Sequence, residues 1–268
     1  AARKMGEENQ LIRYRIDRLG IPLIEVTTAP VIYSPEEAQE TALAIGRILR
    51  ATRKVRRGLG TIRQDLNISI RDGALVEIKG VQELELVSRV IENEVQRQLS
   101  LLKIKDELKE RGVKKEDIKE EFVDVTSVFK QTKCKVIVKA LEQNKPVLAV
   151  KLPKLAGFLK RELALNMRLG AEMADIARFW GRVGGIFHTD ELPAYGMTIE
   201  EVDSLKQAMK ASDEDAVIFV ADAHENATDA LKAVIERAKE ALRGVPEETR
   251  TANPDGTTRY MRPRPGAA

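Results

Sequence analysis

The sequence predicts an α+β fold organised around an antiparallel hairpin, and three observations carry that prediction. Apolar residues make up 43% of the chain but aromatic residues only 4%, so a core of Leu, Ile, Val and Ala is expected. That composition favours helices and mixed sheets over an aromatic-rich sandwich. Residues 61–71 alternate apolar and polar side chains, interrupted only by Gln64, and run through Asp72-Gly73 into a second apolar segment, the pattern of paired strands. Helical stripes flank this pair, and strands and helices alternate again beyond residue 121. A length of 268 residues allows one large domain or two ordinary ones.

Leu11 to Ile16 and Leu23 to Thr27 read as two short strands separated by Gly20-Ile21-Pro22. Ser34-Pro35-Glu36-Glu37 is a helix start: Ser34 caps free N–H groups, Pro35 suits the first turn, and Glu37 completes a capping box. Ala38, Ala42, Ile45, Ile48 and Leu49 share one face, carrying the helix to about Ala51. In the hairpin, Ile62, Leu66, Ile68 and Ile70 form one face, and Arg63, Asp65, Asn67, Ser69 and Arg71 the other. Leu75 to Lys79 is the partner strand. A two-residue loop would set Ile68 against Glu77 and mix the faces. A three-residue loop, Arg71-Asp72-Gly73, pairs Ile68 with Val76, Leu66 with Ile78, Asn67 with Glu77 and Asp65 with Lys79, and keeps them apart. Gly73 is then expected in the left-handed position of a bulged turn. The polar face gathers Arg63, Asp65, Asn67, Glu77 and Lys79.

A long helix follows over about Gln82 to Arg111, with Leu86, Val87, Val90, Ile91 and Val95 as its apolar stripe and Gly112 as its stop. The charged run Lys114 to Glu121 is a candidate domain boundary. Val136 to Val138 and Val147 to Leu152 read as strands, and Gly170 to Trp180 as a helix. The stretch Gly181 to Gly196 is rich in glycine and carries His188. Thr198-Ile199-Glu200-Glu201 opens a capped helix to about Ala211. Val217 to Val220 is a strand, Glu225 to Leu242 the last helix, and the Pro- and Gly-rich segment from Gly244 an extended connection. The alternation beyond the charged run suggests a compact α+β domain of about 100 residues.

The net charge of +3, from 45 basic and 42 acidic residues, gives little support for a nucleic-acid partner. The single cysteine, Cys134, excludes an internal disulfide and a multi-cysteine zinc site, and reads as a buried structural thiol in a reducing compartment. No apolar run is long enough to span a membrane, and no signal-peptide pattern opens the chain. Beginning Ala1-Ala2-Arg3-Lys4 without Met, the sequence reads as a fragment or a processed chain.

The polar hairpin face admits two readings. Its carboxylates, amide and cations suit Mg²⁺ with a triphosphate; as pattern alone it is better read as a solvated face of cross-strand ion pairs. Arg53, Lys54, Arg56 and Arg57, beside Gly58 and Gly60, could contact phosphates or could cap a helix C-terminus, and no Gly-Lys-Ser/Thr ending makes the run a Walker loop. His188 reads as a hydrogen-bonded loop histidine, with general acid–base work as the alternative. Arg161, Arg168, Arg178 and Arg182 read as a solvated helix face, with RNA contact the alternative.

Longer motifs add a resemblance. Tyr14-Arg15-Ile16-Asp17-Arg18-Leu19-Gly20-Ile21-Pro22-Leu23-Ile24-Glu25-Val26 and Ser34-Pro35-Glu36-Glu37-Ala38 resemble the signature shared by the B and E forms of the tRNA-dependent amidotransferases. Residues 60–70 and 76–82 are similar to the archaeal E form, and Arg57-Gly58-Leu59-Gly60 stands where the B form carries Met-Glu-Glu-Gly. Asp124-Val125-Thr126, Ala149-Val150-Lys151-Leu152-Pro153 and residues 184–193 resemble the GAD domain that the E form shares with bacterial aspartyl-tRNA synthetases.

The resemblance implies an architecture: a partial glutamine-synthetase-like cradle with antiparallel sheet and helices over 1–120, a GAD domain over 121–235, and a return toward the cradle over 236–268. It implies ATP- and Mg²⁺-dependent phosphorylation of the γ-carboxylate on glutamyl-tRNA(Gln). Amidation follows, with ammonia from a separate amidase- or asparaginase-like protein, the D form, in a cytoplasmic heteromeric complex. Glu77 and Asp65 would be metal ligands. Arg63, Asp65, Asn67 and Lys79 would be catalytic, and Arg56, Arg57, Arg63 and Lys79 would bind nucleotide. The rival expectations are a non-catalytic tRNA-binding module and a carboxylate–amine ligase acting on a small acid.

Overall fold

The computed structural model describes residues 3–8, 11–17, 19–58 and 61–266. The chain forms two compact units, one up to Tyr33 and one from Ser34 onward.

In the first unit, β1 (Arg3–Glu8) pairs antiparallel with β2 (Leu11–Arg15), Glu8 against Leu11 and Lys4 against Tyr14. β2 is the strand expected from Leu11. The second expected strand, Leu23 to Thr27, does not form: the segment carries strand-forming residues but has no regular structure. β2 pairs with Arg3–Glu8, a charged segment with no alternation to reveal it.

The second unit holds two four-stranded sheets. In the first, the order is β12-β11-β4-β3, with β3 at Leu66–Ile68, β4 at Val76–Lys79, β11 at Glu248–Ala252 and β12 at Thr258–Pro263. β3 and β4 pair Leu66 with Ile78, Asn67 with Glu77 and Ile68 with Val76, the register expected from the three-residue loop. The ladder is shorter than the alternation suggests. Beyond Ile68 the backbone bonds a side chain instead: Gln98 donates to the Ile68 carbonyl and accepts from Ala74 N–H. The left-handed turn residue is Asp72, at φ +62°, and not Gly73. Glycine is needed at 73 for space, because a Cβ there would lie 2.3 Å from Gln98 Oε1.

The segment after Gly244 is no loose connection. β11 runs parallel to β4, Thr249 beside Glu77 and Thr251 beside Lys79, then turns back into β12. Pro254 and Gly256 belong to the hairpin turn, where Asn253 N–H donates to the Thr257 carbonyl. The glycines and prolines punctuate a hairpin.

One helix, α2 (Leu84–Glu110), lies against this sheet, and α1 (Pro35–Ala51) packs on α2. α1 begins with the expected Ser34 cap, Glu37 N–H donating to Ser34 Oγ at 3.1 Å. α2 ends in a Schellman turn: Gly112, at φ +68°, donates to Lys109 and Val113 to Leu108. The charged run after it is anchored by Ile118, which is buried in the core.

The second sheet has the order β5-β6-β10-β9, antiparallel throughout: β5 (Val123–Asp124), β6 (Val147–Leu152), β10 (Ala216–Ala221) and β9 (Phe187–His188). Both faces are covered, which is why β6 and β10 read as unbroken apolar runs. Leu148, Val150, Ile218 and Val220 pack with Leu101, Ile104 and Leu108 of α2, Met173 of α4 (Leu169–Gly181) and Leu231, Val234 and Ile235 of α6 (His224–Ala241). Val147, Ala149, Val217 and Phe219 pack on the other side with Phe129, Ile137 and Leu205, from a short turn, α3 (Lys135–Glu142) and α5 (Ile199–Ala208). Thr198 and Glu201 form the expected reciprocal capping box of α5. α3 overturns the strand expected at Val136 to Val138. Ile137 and Ala140 are buried at helical spacing while Val136 is 59% exposed, and so short an apolar run fits either period. Cys134 is buried just before it, as expected. A small hairpin, β7 (Glu162–Ala164) with β8 (Met167–Arg168), completes the unit. α2 contributes to both halves, so the two sheets share one helix.

Candidate functional site

The alternation of β3, β4 and β11 sorts their side chains. Ile68, Val76 and Ile78 are buried on the inner face, and Asn67, Glu77, Lys79 and Thr249 occupy the outer one. On the outer face Lys79 Nζ donates to Glu77 Oε1 at 2.7 Å and to Asp65 Oδ2 at 3.0 Å. Thr249 Oγ1 donates to Glu77 Oε2 at 2.9 Å. Both oxygens of Glu77 are therefore held, and its side chain is only 22% exposed. The hydrogen bond from Lys79 keeps the Glu77 carboxyl below its ordinary range, against partial burial, with help from Thr249 and the charge of Arg262. In return Glu77, then Asp65, holds the Lys79 ammonium above its ordinary range.

The structure thus brings together Asp65, Glu77 and Lys79, with Asn67 in register opposite Glu77. Arg63, Arg56 and Arg57 are exposed and engage none of these residues, the latter two lying in the turn after α1. Thr249 and Arg262 are additions from the hairpin that sequence reasoning took for a connection. The β-branched Thr249 and Thr251, alternating with Glu248 and Arg250, were the available signal.

Among the described residues no group of three or more His, Cys, Asp or Glu could hold a metal ion. Two carboxylates, Asp65 and Glu77, do converge, joined by Lys79. Mg²⁺ in nucleotide sites is held by one or two carboxylates with phosphate oxygens completing its octahedron, so the oxygen donors fit in kind. Lys79 now satisfies those oxygens and is the residue a metal–phosphate group would have to turn aside.

Other expected residues lie elsewhere. His188 is buried on β9, not in a loop; its Nδ1 has no hydrogen-bond partner, its Nε2 lies 3.7 Å from Glu191, and burial pushes its pKa down. Arg161 is not helical: it grips Glu107 at 2.9 and 2.7 Å and covers the Phe158 ring. Arg168 lies in β8, Arg178 bonds Asp175 and the Gly184 carbonyl, and Arg182 reaches Asp229. All four are thus placed by local structure rather than on a common helix face.

Sequence reasoning missed a buried ionic cluster behind the sheet. Arg97, Arg237 and Arg250 meet Glu94, Glu172 and Glu248, all essentially inaccessible to solvent. Arg97 Nε donates to Glu172, and Arg97 Nη1 to Glu94 at 2.9 Å. Glu172 also receives Arg237 Nη2 at 2.9 Å and lies 3.2 Å from Arg250 Nη2. Glu248 receives Arg97 Nη2 and Arg250 Nη1. Burial opposes ionisation of Glu172, but Arg97, Arg250 and Arg237 outweigh it and hold the carboxyl far below its ordinary range. Glu94 goes the other way: burial dominates and raises it, and its Oε2 is unpartnered. Glu94, Arg97 and Gln98 fall on the stripe Val87, Val90, Leu101, Ile104 at helical spacing, which is the signal that could have exposed the cluster.

Two cavities flank the cluster. One of about 230 Å³ is lined by Arg168, Glu172, Asp175, Asn253 and Arg259 among others, and one of about 510 Å³ by Trp180, Arg237, Glu240, Glu248 and Tyr260 among others. Burial pushes the Tyr260 hydroxyl up to about 12. Neither cavity includes the hairpin face.

No helix among the described residues is long and apolar enough to cross a membrane. The chain matches the GatB/GatE catalytic domain over residues 1–268. It is 59% identical over 270 residues to the E-type glutamyl-tRNA(Gln) amidotransferase subunit of Aeropyrum pernix, covering all of this chain and 42% of that protein. The E-type subunits of Pyrococcus horikoshii and Methanocaldococcus jannaschii are 57% and 56% identical, again over the whole chain and 42% of each relative. The chain thus spans less than half the length of these relatives. Matched along its full length by the domain and by relatives at this identity, the chain belongs to the GatB/GatE catalytic-domain family.

Proposed function

We propose that the chain supplies part of the active site with which a tRNA-dependent amidotransferase activates glutamate on tRNA(Gln). The observation that carries this reading is the Asp65–Lys79–Glu77–Thr249 group on the outer face of a sheet, in a chain whose relatives bear that enzyme's name. Residues 1–120 and 236–268 act as parts of one cradle, in keeping with the pairing of β4 and β11. Residues 121–235 act as the GAD domain.

A carboxylate is a poor electrophile, so its carboxyl carbon needs a better leaving group before ammonia can add. The γ-carboxylate oxygen takes the terminal phosphoryl group of ATP and ADP departs. Ammonia, from a separate amidase-like protein, then adds to the acyl carbon and phosphate leaves. Asp65 and Glu77 would hold Mg²⁺, which neutralises phosphate charge. Lys79, released toward the phosphates, and Arg63 stabilise the crowded oxygens, while Arg56 and Arg57 reach the nucleotide. Asn67, in register opposite Glu77, supports the Asp65–Glu77 metal-binding pair.

The test is Glu77→Gln in the full-length protein with its amidase partner. ATP-dependent conversion of glutamyl-tRNA(Gln) is expected to fall by at least about 100-fold, the scale of losing one electrostatic contact to the reacting group. Binding of the tRNA is expected to stay within about threefold. Full turnover by the variant refutes the assignment. Turnover of free glutamate with ammonia and no tRNA would instead identify a small-acid ligase.

A further inference from the structure

We propose that Glu172, on α4, is a positioning residue for this site, acting through the buried ionic cluster on strand β11. The inference rests on the reading of the outer sheet face given above and adds a residue from the opposite end of the fold.

β11 has two working faces. Thr249, itself fully buried, faces the Glu77 side of the sheet and fixes Glu77 Oε2 at 2.9 Å. Its neighbours on either side, Glu248 and Arg250, turn inward and are almost wholly buried. Glu172 stands against this inner face. One oxygen takes Arg97 Nε and lies 3.2 Å from Arg250 Nη2; the other takes Arg237 Nη2 at 2.9 Å and Arg97 Nη2 at 3.3 Å. Arg97 and Arg250 are joined a second time through Glu248. α2, α4, α6 and β11 thus meet at one carboxylate, and the position of β11 along β4 depends on it.

The chemistry makes this linkage stiff. In a site this buried an arginine fork accepts few geometries, and a buried charge without its partner is costly, so the network resists sliding. Among the described residues Arg237 engages no other carboxylate at hydrogen-bond distance, and its Nε and Nη1 are already unpartnered. Loss of Glu172 therefore strands Arg237 and leaves Arg250 with Glu248 as its one carboxylate, its other bonds going to Thr258 on the neighbouring strand β12. β11 then shifts, and Thr249 carries Glu77 with it. Glu172 touches neither substrate nor nucleotide in this scheme; it sets where Glu77 stands.

The experiment compares four single variants and the Glu172→Gln/Thr249→Val double variant of the full-length enzyme in ATP-dependent amidation of glutamyl-tRNA(Gln), with an ammonium salt as nitrogen donor, well below each melting point. Glu172→Gln is expected to lower kcat about 10- to 100-fold, the cost of a misplacement near 1 Å, with KM for the tRNA unchanged. Leu205→Ala, in the core on the far side of the second sheet, provides a comparable packing defect and is expected to keep kcat within about twofold. Thr249→Val, which removes only the hydroxyl, is expected to lower kcat several-fold and to be non-additive with Glu172→Gln. It keeps the question open to an answer if Glu172→Gln does not fold. Equal kcat losses in Glu172→Gln and Leu205→Ala, a change confined to KM, or additive effects of Glu172→Gln and Thr249→Val overturn the proposal. So does a Thr249→Val enzyme with unchanged kcat. Glu77→Gln separates the two levels: if it abolishes turnover while Glu172→Gln does nothing, the site stands and the positioning role falls; if Glu77→Gln is fully active, the site itself falls and the positioning role with it.

Discussion

α4 and α6 pack closely at Gly181, and replacing it with Ala should drive them apart. A Cβ built there lies 2.4 Å from Ala230 Cβ, 2.7 Å from Ala230 Cα and 2.7 Å from Ala230 N. Carbon atoms rest at about 3.5–4.0 Å, so α6 must retreat by about 1 Å, and two of the three obstacles are backbone that no rotamer change can move. Overpacking of this kind costs about 1–3 kcal/mol. Gly181 closes the last turn of α4, so Ala recovers less than the roughly 1 kcal/mol it gains in a helix interior. The net loss is about 2 kcal/mol, and at about 2–4 °C per kcal/mol for a domain of this size the melting temperature should fall by about 4–8 °C. The assay is thermal unfolding of the full-length protein followed by circular dichroism. Gly184→Ala, where an added Cβ meets nothing within 4 Å, is the control. Adding Ala230→Gly to Gly181→Ala removes one obstacle of three and should restore only part of the loss. A Gly181→Ala protein that melts with the control would show that the two helices are not held at this spacing.

Five further substitutions have outcomes set by the same geometry. Ser34→Ala removes the cap of α1 and should cost about 1 kcal/mol, read as faster amide exchange in the first turn of that helix. Asp72→Gly should be neutral or stabilise by up to about 1 kcal/mol, because φ is +62° there, whereas Gly73→Ala should destabilise by about 1–3 kcal/mol through its clash with Gln98; urea midpoints distinguish them. Glu94→Gln and Glu172→Gln should respond to pH in opposite senses. Glu94 has its folded pKa raised, so its proton-linked stability is present below the unfolded value and lost as pH rises through the folded one; melting of Glu94→Gln relative to the parent should therefore improve from about pH 4.5 upward. Glu172 has its folded pKa lowered, so its contribution is present above the unfolded value and fades as pH falls, and the deficit of Glu172→Gln should shrink toward acid. Parallel slopes in the two series would contradict the opposite environments assigned to these carboxyls.

The register of the central hairpin was legible because only one loop length keeps Ile68 and Val76 on one face and Asn67 and Glu77 on the other. That alone was enough to place Asp65, Glu77 and Lys79 together. The capped helices were legible too, since Ser34 and Thr198 announce themselves by local chemistry. β11 was hidden for a physical reason. A strand shows itself by an apolar face, and the inner face of Glu-Thr-Arg-Thr-Ala is ionic, buried only because α2, α4 and α6 bring matching charges from far along the chain. The true extent of β3 was hidden by Gln98, a side chain that competes for its backbone from another helix. α3 was misread because Val136-Ile137-Val138 is too short to show its period.

The parallel pairing of β4 with β11 also fixes when this face can exist. Thr249 follows Glu77 by 172 residues, so a ribosome must make the whole second sheet and its helices before the strand that holds Glu77 emerges. Parallel pairings at such separation must close a very long loop and form slowly. Until they do, the inner edge of β4 and the charges of α2 lie open to water and to other nascent chains. The last hairpin is in this sense the latch of the fold, and premature termination upstream of residue 248 would leave a chain with most of its core but no finished site.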